Sequence, residues 1–350
     1  MKVLGTLVFV GGLLSAAPVF AGPAVREAAG ANAAAIQAAV DLFRADLGGP
    51  NNANAVGTQP NGRREINWDG GVAAATITLD PSPMTRFSAR GATFLTPGTG
   101  FETSGQPTPL LVELNPGYAG LFTSFSAPRV FTPLDSNVMD VVFHVPGNTA
   151  VPAAVTGFGA VFTNVDLAGA TRMRFYAPDG ALLYERAVPA ATGNATLSFL
   201  GVSFNAGEVV SRVEIVTGNV ALGLNEKVGA NVVVMDDFIY AEPVATQGLT
   251  LTPGTGTTFR SAATEFVIAL GAAPGALTAG RIWFDGYDVT ASLLGCLRPG
   301  TISGGGQTFR CTLAAGLVPA GEHTLQVELQ FGAERRRNAV RWSVVANTEP

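Results

Sequence analysis

Between residues 64 and 243 the chain repeats one device, a short apolar run followed by a break of Gly, Pro, Asn or Asp. The runs include AAATITL, GATFL, VMDVVFHV, GFGAVFTNVDL, ATLSFLGVSF, VVSRVEIVTG and NVVVMDDFIYA. Runs this short suit strands rather than packed helices. No helical pattern lies between them, which argues against a parallel α/β sheet, whose crossovers need helices. The expectation is a mainly β chain, with residues 63–243 forming a jelly-roll-like β-sandwich. Its clearest hairpin is RMRFYAPDGALLYE, where Pro178, Asp179 and Gly180 supply turn chemistry between two alternating strands.

One helix precedes the sandwich. Ile36, Val40, Phe43 and Leu47 recur at helical spacing, and Gly48 is placed to end the helix. The polar, turn-rich PNNANAVGTQPNG follows, so residues 22–62 read as helix and loop. Upstream, MKVLGTLVFVGGLLSAAPVFA combines Lys2, an apolar run from Val3 to Leu14, Pro18 and small residues before Ala21. That is the pattern of a secretory signal peptide over residues 1–21. No later stretch reaches the roughly 20 apolar residues of a membrane helix. The mature chain is therefore expected to lack a transmembrane segment and to be secreted or periplasmic.

Past residue 243 the composition shifts to Thr, Gly and Pro, and residues 244–258 read as a linker. Beyond it, 259–346 carries a second set of strands: TEFVIALG, GRIWFDGYDVT, QTFRCTL, HTLQVELQF and NAVRWSVV. In HTLQVELQF, Leu325, Val327, Leu329 and Phe331 fall on one face and Thr324, Gln326, Glu328 and Gln330 on the other. These features fit an immunoglobulin-like β-sandwich. Cys296 and Cys311 are the two cysteines, and an oxidising compartment makes a disulfide the default, with a pair of free thiols as the alternative. The formal net charge is -5, about -6 without Lys2, so no nucleic-acid partner is expected.

The strings FRADLGG, GRREINWDG, FLTPGTGF, GFGAVFTNVDL, FLGVSFNAGEVVSRVEI and VVVMDDFIYAEP together cover most of residues 42–243. That block resembles a family of bacterial exported domains of uncharacterised function, often found in proteins with surface-sorting tails. The resemblance implies an exported β-sandwich of the kind shared with carbohydrate-binding modules, with no established reaction and no catalytic residues to carry over. This chain ends in SVVANTEP, without a hydrophobic sorting helix or basic tail, which favours free secretion over anchoring. The C-terminal region resembles bacterial immunoglobulin-like modules through FDGYDVT and GEHTLQVEL.

The usual catalytic motifs are missing. GxSxG, HExxH, a P-loop and a dinucleotide fingerprint do not occur, and the two histidines, His144 and His323, fall in different predicted units. His323 reads as a solvated or turn-capping residue at a strand entrance. A glycosidase needs only two carboxylates, and Glu65, Asp69, Asp166, Asp179, Asp236 and Asp237 are candidates, with turn, edge and cation roles as the alternative.

The stretch GRREINWDGG is unusually polar for this chain. If it is paired with VVVMDDFIYAE, Asn67, Asp69, Asp236 and Asp237 converge and could hold a structural Ca²⁺, which takes six to eight oxygens. A salt-bridge arrangement with Arg63 or Arg64 is the alternative. For a carbohydrate or another cell-surface component, Trp68, Tyr118, Phe122 and Phe125 are the ring faces on offer, against a core role for each. Asn194-Ala195-Thr196 matches a glycosylation sequon by chance frequency, and ERRRN at 334–338 reads as a solvated hairpin tip. The resulting expectation is a non-catalytic binding or structural module, with a glycan hydrolase using a carboxylate pair as the rival.

Overall fold

A computed structural model describes residues 22–70, 76–105, 110–224, 227–246, 248–252, 257–259, 265–271, 276–293, 296, 307–312, 318–332 and 334–345. The signal-peptide segment 1–21 lies outside these residues. The first element is a strand that the reading of 22–62 as helix and loop lacks. Strand β1 (Ala24–Gly30) pairs antiparallel, residue for residue, with β12 (Leu197–Ser203). VREAAGA carries little strand propensity of its own, so a distant partner decides its conformation.

Helix α1 (Ala33–Leu47) follows as the periodicity predicts. The Asn32 side chain accepts a hydrogen bond from the Ala35 N–H at 3.2 Å, and Gly48 closes the helix with φ 81°. Ile36, Val40 and Phe43 are fully buried.

Then come β2 (Arg63–Ile66), β3 (Thr78–Pro81), β4 (Ala92–Leu95), β5 (Gly100–Thr103), β6 (Phe131–Leu134), β7 (Val138–Val145), β8 (Asn148–Ala154) and β9 (Gly157–Thr163). After these run β10 (Arg172–Tyr176), β11 (Leu182–Ala187), β12, β13 (Arg212–Val216) and β14 (Val234–Ala241). They form two antiparallel sheets that face each other. The first has the order β1-β12-β9-β14-β6-β5-β3, with β2 added against β14; the second runs β11-β10-β13-β7, with β4 also against β7.

Met139, Val141 and Phe143 of β7, Met173 and Phe175 of β10, and Val213 and Ile215 of β13 meet Phe101, Phe131, Phe158, Phe162, Phe238 and Tyr240 of the first sheet in one core. The outer face of the second sheet is half solvated and carries cross-strand ion pairs, such as Arg174 to Glu214 at 2.6 Å and Arg212 to Asp140 at 2.6 Å. By contrast β9, β12 and β14 are buried on both faces, because α1 and the 110–130 segment cover the first sheet from outside. Helix α1 comes close because glycines lie beneath it. A Cβ on Gly201 would sit 2.6 Å from Phe43 Cγ, and one on Gly159 would sit 2.8 Å from Phe43 Cε1.

The second sheet does not stop at residue 243. Strand β15 (Val244–Ala245), inside the segment read as linker, pairs with β8 on one side and with β23 (Glu334–Val344) on the other. From β23 the sheet continues through β22 (Gly321–Phe331) and β19 (Ala279–Phe284) to β20 (Tyr287–Asp288), while β17 (Thr258–Phe259) also pairs with β23. A three-stranded sheet of β16 (Leu249–Thr252), β18 (Glu265–Leu270) and β21 (Gln307–Thr312) faces it. Leu251, Ile268, Ile282, Leu325, Val327, Leu329 and Trp342 fill the core between them. Cys296 and Cys311 form a disulfide with Cα atoms 5.3 Å apart. Closing so short a loop contributes about 3 kcal/mol on the chain-entropy model, and the bond suits an oxidising compartment. The chain is thus mainly β, with antiparallel, sandwich-like sheets and one N-terminal helix, and no described helix is long and apolar enough to cross a membrane.

Candidate functional site

GRREINWDGG and VVVMDDFIYAE do lie side by side. β2 pairs antiparallel with β14, with Ile66 opposite Phe238 and Arg63 opposite Ala241. In a regular strand, neighbouring aspartates would point to opposite faces and one would enter the core. A bulge prevents this. Pairing with β9 steps from Met235–Phe162 to Phe238–Ala160, so one extra residue is inserted in β14. Met235 and Phe238 both stay in the core, and both carboxylates turn outward toward Ser126.

Asp236 accepts hydrogen bonds from the backbone N–H groups of Phe125 at 2.6 Å and Ser126 at 3.0 Å. The Ser126 hydroxyl donates to Asp237 and lies 3.3 Å from Asp236 Oδ1. Arg44 of α1 lies 2.9 Å from Glu65 and 3.7 Å from Asp237. Just past β2, Asp69 accepts from the Arg129 N–H at 3.3 Å and from the exposed Asn67 amide at 3.1 Å. The four residues expected to share a cation are therefore gathered on the outer face of the first sheet. Their oxygens, however, are turned onto N–H and O–H donors, and no group of three or more His, Cys, Asp or Glu among the described residues is arranged to hold a metal ion. Sequence gave no hint of Ser126 or Arg44, since neither lies near the acids in the chain.

Burial pushes Asp69 up to about 6, opposed by the Arg129 N–H and helped by the Asp237 charge. Asp236 and Asp237 are raised as well, by burial first, with the neighbouring Asp237 charge adding to the rise at Asp236. A second carboxyl, Glu102 of β5, is pushed up to about 8 by burial and then by its hydrogen-bonded neighbour Glu113. Groups raised above their unfolded values stabilise the fold below the unfolded pKa, and that stabilisation is lost as pH rises through the folded value. The melting temperature is expected to fall across two windows, from the ordinary Asp value up to about pH 6 for Asp69 and from the ordinary Glu value up to about pH 8 for Glu102. Asp69→Asn should remove the first and Glu102→Gln the second. His144, held below its usual value by burial, acts in the opposite sense, so the difference between parent and variant is the quantity to measure in thermal melts from pH 5 to 9. A pH-independent difference for both variants would refute the assignment.

The aromatic candidates are corrected by burial. Trp68, Tyr118 and Phe122 are 1%, 2% and 6% exposed and offer no ring face to a ligand. Trp68 adopts φ 66°, drops into the core and stacks on Phe131 at 3.7 Å, because its neighbours Asn67 and Asp69 face the outside. Tyr118 and Phe122 belong to a satellite cluster with Leu110, Leu111, Val130, Val232 and Val234 that roofs the first sheet. Half-buried Phe125 packs against the cluster beneath α1.

Other acids are committed to local structure. Asp179 accepts from the Ala181 N–H at 3.1 Å in its hairpin, and Asp166 accepts from the Gly193 N–H at 2.8 Å. Glu65 is shared by Arg44 and Arg63. His323 is 1% exposed rather than solvated, held between Asp285 Oδ2 at 2.9 Å and the Pro319 carbonyl at 2.7 Å.

Arg64, at the start of GRREINWDGG, leads to a different place. Arg64 is fully buried; its Nε and Nη2 donate to Glu242 at 2.9 and 2.7 Å. Its remaining N–H groups reach the carbonyls of Ala53, Ala55, Gly57 and Ala89 at 2.8–3.1 Å. Glu242 also accepts from the Gln59 N–H at 2.9 Å and the Asn52 amide at 2.8 Å. One ion pair thereby fixes the 53–59 loop, which forms a wall of a cleft of about 920 Å³.

Val56, Pro60, Val145 and Val151 give this cleft an apolar side. Its floor is the polar face of β19, β22 and β23, where Arg281, Glu328, Gln330 and Arg335 sit on adjacent paired strands. The period-2 pattern of HTLQVELQF is thus correct in phase, but its polar face is not simply solvated. Thr324 and Gln326 are buried, Gly207 lies against Gln326, and Glu328 and Gln330 line the cleft. ERRRN is likewise not a solvated tip. It opens β23, and Arg335, Arg336 and Arg337 have side chains only 13%, 12% and 15% exposed. Arg335 donates to the Gln59 carbonyl at 2.5 Å and Arg341 pairs with Glu208 at 2.6 Å, fastening the two sets of strands together.

No family model and no curated protein matches the chain. Two of the solved structures that match, both with weak similarity, illustrate the likeness. The N-terminal domain of a Streptococcus gordonii adhesin aligns with 81% of this chain and 79% of its own length, at 8% identity and TM-score 0.16. The Endo-D glycoside hydrolase domain from Streptococcus pneumoniae aligns with 63% of this chain at 8% identity and TM-score 0.18, and this chain covers 34% of that structure.

Proposed function

We propose that the chain is an exported, non-catalytic binding module for a saccharide or another polar cell-surface component, and that the ligand enters the cleft between the two sets of strands. The observation that carries this reading is the cleft itself. It is walled by a loop that a buried ion pair holds in place, and its volume of about 920 Å³ lies within the range of ligand pockets. A sugar ring has apolar C–H faces and a hydroxyl rim. The Val and Pro side suits the first, and the planar amide, carboxylate and guanidinium groups of the floor suit the second.

On this reading the first unit is jelly-roll-like and the second immunoglobulin-like, each built from two facing sheets. The rival, a glycan hydrolase, needs two carboxyls free to act on substrate, whereas Glu65, Asp69, Asp166, Asp179, Asp236 and Asp237 each accept from donors of the fold. The test is a glycan-array screen of the mature chain alongside reducing-sugar release from the same polymers. Binding without release is the expected result; release abolished by one carboxylate substitution would replace this reading by the hydrolase.

A structural Ca²⁺ held by Asn67 together with Asp69, Asp236 and Asp237 is a separate proposal that rests on the pairing of the two stretches that carry them. Binding would raise the melting temperature in a dose-dependent way. Melts in chelator and in Ca²⁺ that coincide would leave the cluster to its hydrogen bonds and the Arg44 charge.

A further inference from the structure

We propose that Trp283 is the stacking platform of the saccharide site, and that the ligand is a neutral, extended chain of pyranose rings. The inference rests on the saccharide-binding reading above and adds the ring face that reading lacks, since Trp68, Tyr118 and Phe122 are buried. Of the three tryptophans, Trp68 and Trp342 belong to the two main cores, whereas half-buried Trp283 belongs to no apolar cluster. Its indole makes no hydrogen bond and no ring contact among the described residues. A lone exposed apolar residue is ordinary on a protein surface. The position of this one carries the argument.

Arg281 lines the cleft, and Trp283 follows it two residues along β19 on the same face, while Ile282 between them enters the core. Across the ladder Arg281 is opposite Glu328 and Trp283 is opposite Gln326 of β22. The first unit meets this end of the floor through Gly207, against Gln326, and through Ala206, against Gly286. Trp283 therefore stands just past the lining residues, where the floor runs up to the first unit. From Ala279, which lines the cleft, to Trp283 the strand runs about 13 Å, room for more than one sugar ring.

Charge selects the class of saccharide. Arg281 and Arg335 line the cleft together with Glu328 and Glu334, and Arg335 lies 3.6 Å from Glu328, so the lining is balanced and suits an uncharged ligand. An indole covers the C–H face of a pyranose, and its N–H donates to a hydroxyl at the rim. That C–H face is flat when the hydroxyls and linkages are equatorial, as in a β-1,4-linked glucose chain. Such a chain is extended and matches a floor laid along one strand, whereas its α-1,4-linked isomer coils away from it.

Titration of the mature chain with cellohexaose and with maltohexaose, followed by calorimetry and by tryptophan emission, tests the proposal. Cellohexaose should bind at least about tenfold more tightly than maltohexaose, and it should shift the emission to the blue as the half-buried indole becomes covered. Trp283→Ala should weaken cellohexaose binding at least about tenfold and remove the emission change, and Trp283→Phe should restore part of the affinity. The melting temperature should stay close to that of the parent in both variants, since the indole packs in no cluster. Val151→Arg fills the cleft from its apolar side and serves as the second probe. Cellohexaose binding that Val151→Arg abolishes and Trp283→Ala leaves intact would overturn the stacking role while the cleft reading stood. Equal affinity for the two isomers, or failure of cellohexaose in a protein that binds other glycans on the array, would overturn the ligand class. Silence of every saccharide would overturn the binding reading and this inference with it.

Discussion

Arg64→Met is expected to destabilise the protein by about 3–5 kcal/mol, because it leaves the Glu242 carboxylate buried without its counter-charge. For a unit of this size that corresponds to a fall in melting temperature on the order of 10 °C. The loss has two parts. Glu242 keeps its hydrogen bonds from Gln59 and Asn52 but loses both bonds from the guanidinium, and the carbonyls of Ala53, Ala55 and Gly57 lose their donors. Adding Glu242→Leu should recover much of the deficit, since removing both charges also removes the desolvation penalty. The loop wall would still be loosened. The double variant should therefore fold well yet bind saccharide more weakly, and chemical denaturation with a binding titration separates the two effects. Additive destabilisation by the two substitutions would show that the pair is not coupled.

The second large effect concerns the seat of α1. Phe43→Ala should cost about 3–5 kcal/mol through loss of buried area and the cavity left between helix and sheet. Gly201→Val approaches the same contact from below. Its Cβ would arrive 2.6 Å from Phe43 Cγ, and neither the ring nor the strand can yield freely, because Phe43 also packs against Phe199 at 5.7 Å. Combining Gly201→Val with Phe43→Ala should be less damaging than the sum of the two, since the small side chain makes room for the large one. Strict additivity in urea unfolding would mean that helix and sheet do not meet as described.

Much of this was readable from local pattern. The helix over 33–47 was legible because Ile36, Val40 and Phe43 recur at helical spacing ahead of Gly48. The phase of HTLQVELQF was legible because alternation is a property of the strand alone. What covered its polar face was not, since that depends on Gly207 and Glu208, more than a hundred residues away in the chain. Asp236 and Asp237 stood out as a pair in an apolar run, and their approach to Asp69 followed from pairing the two stretches. The bulge that sets both on one face did not follow, because a register shift is fixed by the partner strand. Trp68, Tyr118 and Phe122 misled for a related reason: an aromatic in a turn-rich stretch carries no mark of whether other segments fold over it.

By itself, then, the sequence determined the mainly β class, the N-terminal helix with its buried face, the pairing of two lone cysteines in an oxidising setting, and the absence of familiar catalytic motifs. These are consequences of composition, periodicity and short-range spacing. Tertiary structure alone decided that Ala24–Gly30 is a strand, that Arg64 seeks Glu242 and braces a loop, and that β23 carries Arg335 into a cleft rather than to a solvated tip. Each of these depends on which distant segments come to share a hydrogen-bond ladder or a buried charge. That choice is made by the free energy of the whole packed arrangement and not by any stretch within it.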